Sequence, residues 1–176
     1  MYSAEEFLKK KSIEINKIKL SDDDSKNDYE YLKEFDKMKS KVLKYALYKK
    51  RTEQEIRQKF AKELEENMLN DIIEVLRQNS YIDDNSYIER TVNEYIKLKK
   101  LSIKEVRYKL LAKGVKSGLI DDFVSNNIDL MNEYEQKSAY GIICKKRNMM
   151  EDNEIKLYLM KKGYTEDNIK AAFTFE

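Results

Sequence analysis

Residues 80 to 115, SYIDDNSYIERTVNEYIKLKKLSIKEVRYKLLAKGV, read as one complete structural unit, and the pattern recurs on both sides of it. Tyr81 and Ile82 form an apolar knuckle ahead of Asp83, Asp84, Asn85 and Ser86, whose short side chains accept hydrogen bonds from the free amides of a starting helix. The spacing predicts a helix from there, with Tyr87, Ile88, Thr91, Val92, Tyr95, Ile96 and Leu98 on one face at three- and four-residue steps. Ser102 and Glu105 have the separation of a capping box for a second helix, lined by Val106, Leu110 and Leu111. Gly114, the residue type most tolerant of a left-handed backbone, ends it.

Moving outward, Thr52 and Glu55 repeat the capping spacing, followed by Ile56 and Phe60 where the central copy has Val106 and Leu110. A third copy places Ile155 and Leu159 there and closes with Gly163, in Lys162-Gly163-Tyr164 against Lys113-Gly114-Val115. The first copy has Leu64 near that place, so its second helix should run longer or end differently. Each second helix is followed by a third: Ile72, Ile73, Val75 and Leu76; then Leu119, Ile120, Phe123 and Val124; then Ile169, Ala172 and Phe173. A unit this small buries little alone, so stacking against neighbours must supply the remaining stability.

The expected fold is all-α, an elongated, curved array of three tandem three-helix repeats at 39–84, 85–131 and 132–176. Residues 1–38 form an N-terminal extension and the start of a long helix. That helix should run from about Asn27 to about Lys50, with Leu32, Phe35, Met38, Val42, Ala46 and Leu47 on one side. Upstream, Phe7 and Leu8 fit a short helix, whereas Ile13, Ile15, Ile18 and Leu20 fit strand and helix spacing equally. The run from Ser21 to Ser25 reads as linker plus cap, since a cation site would need further placed oxygens.

Composition agrees with helices. The 176 residues include no proline and 4 glycines, few of the breakers that sheet proteins need at turns. Hydrophobic residues at 41% and charged residues at 39% suit narrow apolar stripes. Net charge is only +2, so attraction to nucleic acid would have to come from local clustering. One cysteine excludes an internal disulfide, and the absence of histidine removes the commonest metal ligand and general base. No membrane-length apolar run or signal-peptide pattern is present, so a cytoplasmic protein without membrane contact is expected.

Several pieces of the chain resemble the RecX family of bacterial recombination regulators. They are Ala46 to Phe60 (ALYKKRTEQEIRQKF), Tyr81-Ile82-Asp83-Asp84 with Tyr87, Val106 to Val115 (VRYKLLAKGV), Lys145-Lys146-Arg147, and Ile155 to Tyr164 (IKLYLMKKGY). They arrive in the family's order over roughly three quarters of the chain. Ile88 departs from the family's small residue after the tyrosine, and Lys99-Lys100-Leu101 replaces its glycine-rich turn. The resemblance implies three tandem three-helix repeats and a partner, the RecA filament on single-stranded DNA. It further implies that RecA's ATP hydrolysis, strand exchange and coprotease activity are modulated, chiefly inhibited, in recombination, DNA repair and the SOS response.

The charges have an order independent of the family. Lys49, Lys97 and Lys145 fall at equal intervals, as do Arg51, Lys99 and Arg147, all where a first helix passes into a second. Lys50 and Lys146 lie between them, Lys100 follows Lys99, and Lys104, Arg107, Lys109 and Lys113 extend the middle cluster along its second helix. Lysines at helix ends also serve the helix dipole and solubility. As a row, however, they make a stripe that could track a phosphate backbone or an acidic protein groove, touching RecA or single- or double-stranded DNA. Tyr45, Tyr48, Tyr95 and Tyr108 are interleaved with the stripe, as stacking platforms or, more in keeping with their spacing, as residues at the edge of the core.

Other candidates weaken. Asp83-Asp84 and Asp121-Asp122 sit at or near helix starts, where aspartate caps, and Cys144 shares the repeat position of Tyr48 and Ile96, which makes it a buried filler. No phosphate-cradling glycine loop or zinc-ligand set is present. The expectation is a monomeric protein that is not an enzyme and needs no cofactor. The alternative to a RecA regulator is a nucleic-acid-binding helical repeat protein acting without RecA, and a weaker one is a scaffold for another acidic protein.

Overall fold

The computed structural model describes residues 22 to 175, with side chains from Tyr29 onward. The expectations placed on Phe7, Leu8, Ile13, Ile15, Ile18, Leu20 and Ser21 lie outside the described residues. Among the described residues there are nine helices and no strand: α1 (Asp22–Tyr48), α2 (Glu53–Phe60), α3 (Glu66–Gln78), α4 (Asp84–Leu98), α5 (Ile103–Ala112), α6 (Ser117–Asn126), α7 (Ile128–Lys146), α8 (Asp152–Lys161) and α9 (Glu166–Phe173). They follow one plan three times, a longer first helix and two short ones. Two compact units result, one ending at Asp83 and one beginning at Asp84.

In the first unit, α1, α2 and α3 enclose one core of Phe35, Val42, Ala46, Ile56, Phe60, Leu69, Ile72, Ile73 and Leu76. Helix α1 is already helical at Asp22, earlier than the Asn27 the apolar spacing indicates, so Asp22 to Asp24 belong to the helix and not to a linker. Thr52 closes the expected capping box, accepting from the Glu55 amide at 3.1 Å while the Glu55 carboxylate accepts from the Thr52 amide at 3.2 Å. Glu53, in the first turn of α2, pairs with Arg57 at 2.8 Å and Arg77 at 2.5 Å. Burial alone would raise its carboxyl, but the hydrogen bonds from Arg77 and then Arg57 outweigh that and hold it below the ordinary carboxylate range.

The end of α2 differs from its counterparts, and for a local reason. Leu64 folds back so that its amide donates to the Phe60 carbonyl at 3.0 Å, and its side chain is buried. No residue of this turn has a positive φ, so no glycine is needed. Helix α3 ends in the way that α5 and α8 do. Tyr81 donates to the Leu76 carbonyl and Ser80 to that of Arg77, the paired bonds of a Schellman turn, with Ser80 taking the left-handed position at φ 58. Tyr81 and Ile82, the knuckle ahead of α4, pack into this first core.

The second unit holds two cores. One gathers Ile88, Val92, Val106, Leu110, Val115, Ile120, Val124, Met131 and Tyr134; the other gathers Ala139, Ile143, Ile155, Leu159, Tyr164, Ile169 and Ala172. Helix α7 serves both, its first half lining the former and its second half the latter. Ser102 and Glu105 form the expected capping box at 3.0 Å in each direction. Glu151 and Glu154 form another at the start of α8. Gly114 and Gly163 have φ of 79 and 87, and the bonds Val115 to Leu110 and Tyr164 to Leu159 complete two Schellman turns. At Gly163 space is short as well: an added Cβ would lie 2.9 Å from Cβ of Lys104.

Three apolar assignments are corrected. Leu98, Leu111 and Leu47 lie on the predicted faces but are exposed, because each sits at the end of its helix or off the centre of the stripe, beyond reach of the neighbouring helices. Cys144 is an exposed free thiol in the last turn of α7, not a buried filler. Its neighbour Ile143 is the residue that turns inward, fully buried.

Candidate functional site: the lysine-bearing helix ends

The first cluster lies just past the end of α1. Lys49 and Lys50 are exposed. Arg51 is not: its guanidinium stacks over the Tyr45 ring at 4.6 Å and its Nε is buried. Tyr45 in turn packs edge-on against Phe60 at 5.5 Å, so this arginine and tyrosine belong to the edge of the first core. Tyr48, by contrast, is 88% exposed and does not serve that core.

The middle cluster spans the end of α4 and the whole of α5. Lys97 and Lys99 are exposed and form no ion pair among the described residues. Lys100 is committed, its Nζ donating to the Gly141 carbonyl of α7 at 2.9 Å. The turn carrying them is fixed by Tyr134, whose hydroxyl accepts from the Leu101 amide at 3.1 Å and donates to the Lys99 carbonyl at 3.2 Å. This pins the Lys99-Lys100-Leu101 turn without the glycines of the family pattern. Together with α7 the turn borders a groove of about 310 Å³, lined by Ile96, Leu98, Leu130 and Tyr134 and by Lys97, Lys99, Lys100 and Lys137.

Along α5 the cations divide. Arg107 pairs with Asp121 of α6, which gives that aspartate a structural employment. Lys113 caps the end of α5 through its backbone amide. Lys104 and Lys109 border a second groove of about 290 Å³ against α8, joined there by Tyr108, Lys161 and Lys162. Tyr108 is 73% exposed, so it presents its ring between lysines and is not a core-edge residue. Tyr95 is half-buried, and burial raises its hydroxyl above the usual tyrosine range. Lys137, Lys161 and Lys162 had no place in the predicted stripe. The doubled lysine before Gly163 was visible in the sequence, but only as a turn.

The third cluster is partly consumed by its own core. Lys146 lies over the Tyr158 ring at 4.2 Å, and Arg147 lies 5.9 Å from the Phe173 ring and 3.8 Å from Asp152. Lys145 is exposed. Of the predicted stripe, therefore, Lys49, Lys50, Lys97, Lys99, Lys104, Lys109 and Lys145 are exposed and form no ion pair among the described residues, while Arg51, Lys100, Arg107, Lys146 and Arg147 are engaged.

What holds the middle surface in place is a polar cluster that periodicity did not reveal. Glu135 of α7 is fully buried, yet its carboxylate accepts from the Ile103 amide at 2.6 Å, the Thr165 amide at 3.1 Å, the Thr165 hydroxyl at 2.9 Å and Asn168 Nδ2 at 2.7 Å. It thereby satisfies the amide ends of α5 and α9 at once, where negative charge is favoured. Ser102 adds a second tie, its hydroxyl donating to the Lys162 carbonyl at 2.8 Å. Burial pushes the Tyr164 hydroxyl far above the tyrosine range, so it stays protonated in its 2.7 Å bond with Ser138.

Repeated three-helix units with capped second helices define an all-α helical-repeat protein in architecture. The comparisons agree. The chain is 31% identical over 124 residues to regulatory protein RecX of Clostridium beijerinckii, covering 65% of this chain and 56% of that one. It is 31% identical over 144 residues to regulatory protein RecX of Clostridium perfringens, covering 76% and 66%. A crystal structure of regulatory protein RecX superposes with a TM-score of 0.73 at 24% identity over 86% of this chain and 79% of that one. No family model matches the chain. The chain belongs to the RecX family, and it spans less than two thirds of the length of these clostridial relatives. Among the described residues no helix is long and apolar enough to cross a membrane.

Proposed function

We propose that the chain regulates RecA, binding the RecA filament on single-stranded DNA and restraining its ATP hydrolysis, strand exchange and coprotease activity in recombination, repair and the SOS response. It acts as a cytoplasmic monomer without catalysis or cofactor of its own. The observation that carries this reading is the placement of exposed lysines with no ion pair among the described residues at the ends of first helices, Lys49, Lys97 and Lys145, in a chain of the RecX family. The units at 39–84, 85–131 and 132–176 then offer equivalent contacts to successive protomers of a polymer. Binding that differs in strength between the active, extended filament and its disassembling form shifts the balance between them.

A second reading, nucleic-acid binding without RecA, draws support from the groove where exposed Tyr108 stands among Lys104, Lys109, Lys161 and Lys162. RecA's ATP hydrolysis on single-stranded DNA, measured with increasing amounts of this protein, separates the two. A fall in rate at amounts too small to coat the DNA supports the RecA reading. An unchanged rate at saturation, with tight binding to bare DNA, supports the second.

A further inference from the structure

We infer that the groove between the end of α4 and helix α7 receives an acidic protein segment bearing one aliphatic side chain. This deepens the proposed function by naming the kind of partner segment its lysines meet, and it rests on that reading only for the partner's identity. The groove, about 310 Å³, sits at the lower end of the volumes that hold ligands, the scale of side chains and not of an extended surface. Its apolar walls are Ile96, Leu98 and Leu130, with Leu98 69% and Leu130 43% exposed, so a partner covering them removes aliphatic surface from water. Lys97 and Lys99 stand over these walls without an ion pair among the described residues.

The chemistry distinguishes the occupant. Tyr134 is buried and its hydroxyl is spent on the Lys99 and Leu101 backbone, so the groove offers no exposed ring on which a base could stack. Ser138, also in the lining, is occupied by Tyr164. Lys137 is paired with Glu133 on the rim. What remains is an aliphatic slot beside two unengaged ammonium groups, complementary to carboxylates flanking a leucine-like side chain. The groove between α5 and α8, with its exposed Tyr108, lacks this aliphatic lining. The two surfaces therefore suit different ligands.

The test uses the full chain and a fluorescein-labelled synthetic peptide of glutamate, aspartate and glycine around one central leucine, read by anisotropy. Its controls are the same peptide with serine for leucine, and a labelled oligothymidylate. The leucine peptide should bind about tenfold more tightly than the serine peptide, and Leu130→Asn should erase that difference with helix content unchanged. Replacing Lys97 and Lys99 by glutamine should weaken the leucine peptide and flatten its salt dependence. Equal binding of the two peptides, no binding of either, or an oligothymidylate that alone responds to Leu130→Asn would each overturn the inference. Because RecA is absent, failure here leaves the ATPase test standing, and failure of that test leaves the groove standing.

Discussion

The turn that follows α2 in the first unit and those that follow α5 and α8 in the second do the same job with different chemistry. After Phe60 the chain returns within four residues, and Leu64 is buried with no positive φ in the turn before it. After Leu110 and Leu159 it takes one residue more, and that residue must turn left-handed, which places Gly114 and Gly163 there. A left-handed residue is thus a requirement of turn length and not of the repeat, met by glycine after α5 and α8 and by Ser80 after α3. The units differ again in their interiors: among the described residues the first has one apolar core, whereas the second has two, bridged by Glu135.

The largest effects should come from the cores that both units share. Phe60→Ala in the first and Leu110→Ala in the second remove side chains that are 1% exposed, and each should cost about 2 to 5 kcal/mol in chemical denaturation. Loss of less than about 1 kcal/mol at either would refute the equivalence of the two cores. Next, Glu135→Ala strands the Ile103 and Thr165 amides and removes one of the two acceptors of Asn168 Nδ2. The cost should be about 3 kcal/mol, with Glu135→Gln falling between it and the original. Neutral behaviour of Glu135→Ala would mean that the bridge between the two cores of the second unit is incidental. Smaller still, Gly163→Ala should destabilise by about 1 to 2 kcal/mol, from its left-handed backbone and the crowding by Lys104, while Ala61→Gly in the glycine-free turn should change stability by less than about 1 kcal/mol. Matching losses at the two positions would remove the contrast between the turns.

Much of the fold was legible because its determinants are local. Thr52 with Glu55, Ser102 with Glu105, and the two lysine-glycine turns announce helix ends within a few residues, and the structure uses them so. Glu135 was not legible, because the groups it satisfies lie about thirty residues away on either side, where no spacing rule reaches. Leu98, Leu111 and Cys144 show the opposite limit: periodicity assigns a face but not how far along the helix neighbours cover it. The cations were legible as positions along the sequence and less so as available charges. Arg51, Arg107 and Lys146 are drawn into rings and carboxylates that sequence spacing does not place beside them.

That distinction decides which side chains to change when the proposed docking is tested. Lys100 and Arg107 hold structure through Gly141 and Asp121, whereas Lys97 and Lys99 do not. The most direct measurement is the affinity of the double variant Lys97→Gln, Lys99→Gln for RecA filaments on single-stranded DNA, taken across a range of salt beside the unaltered protein. Weaker binding with a shallower dependence on salt, at unchanged helix content, is the predicted result. The same affinity and the same slope in both proteins would contradict electrostatic docking through this helix end.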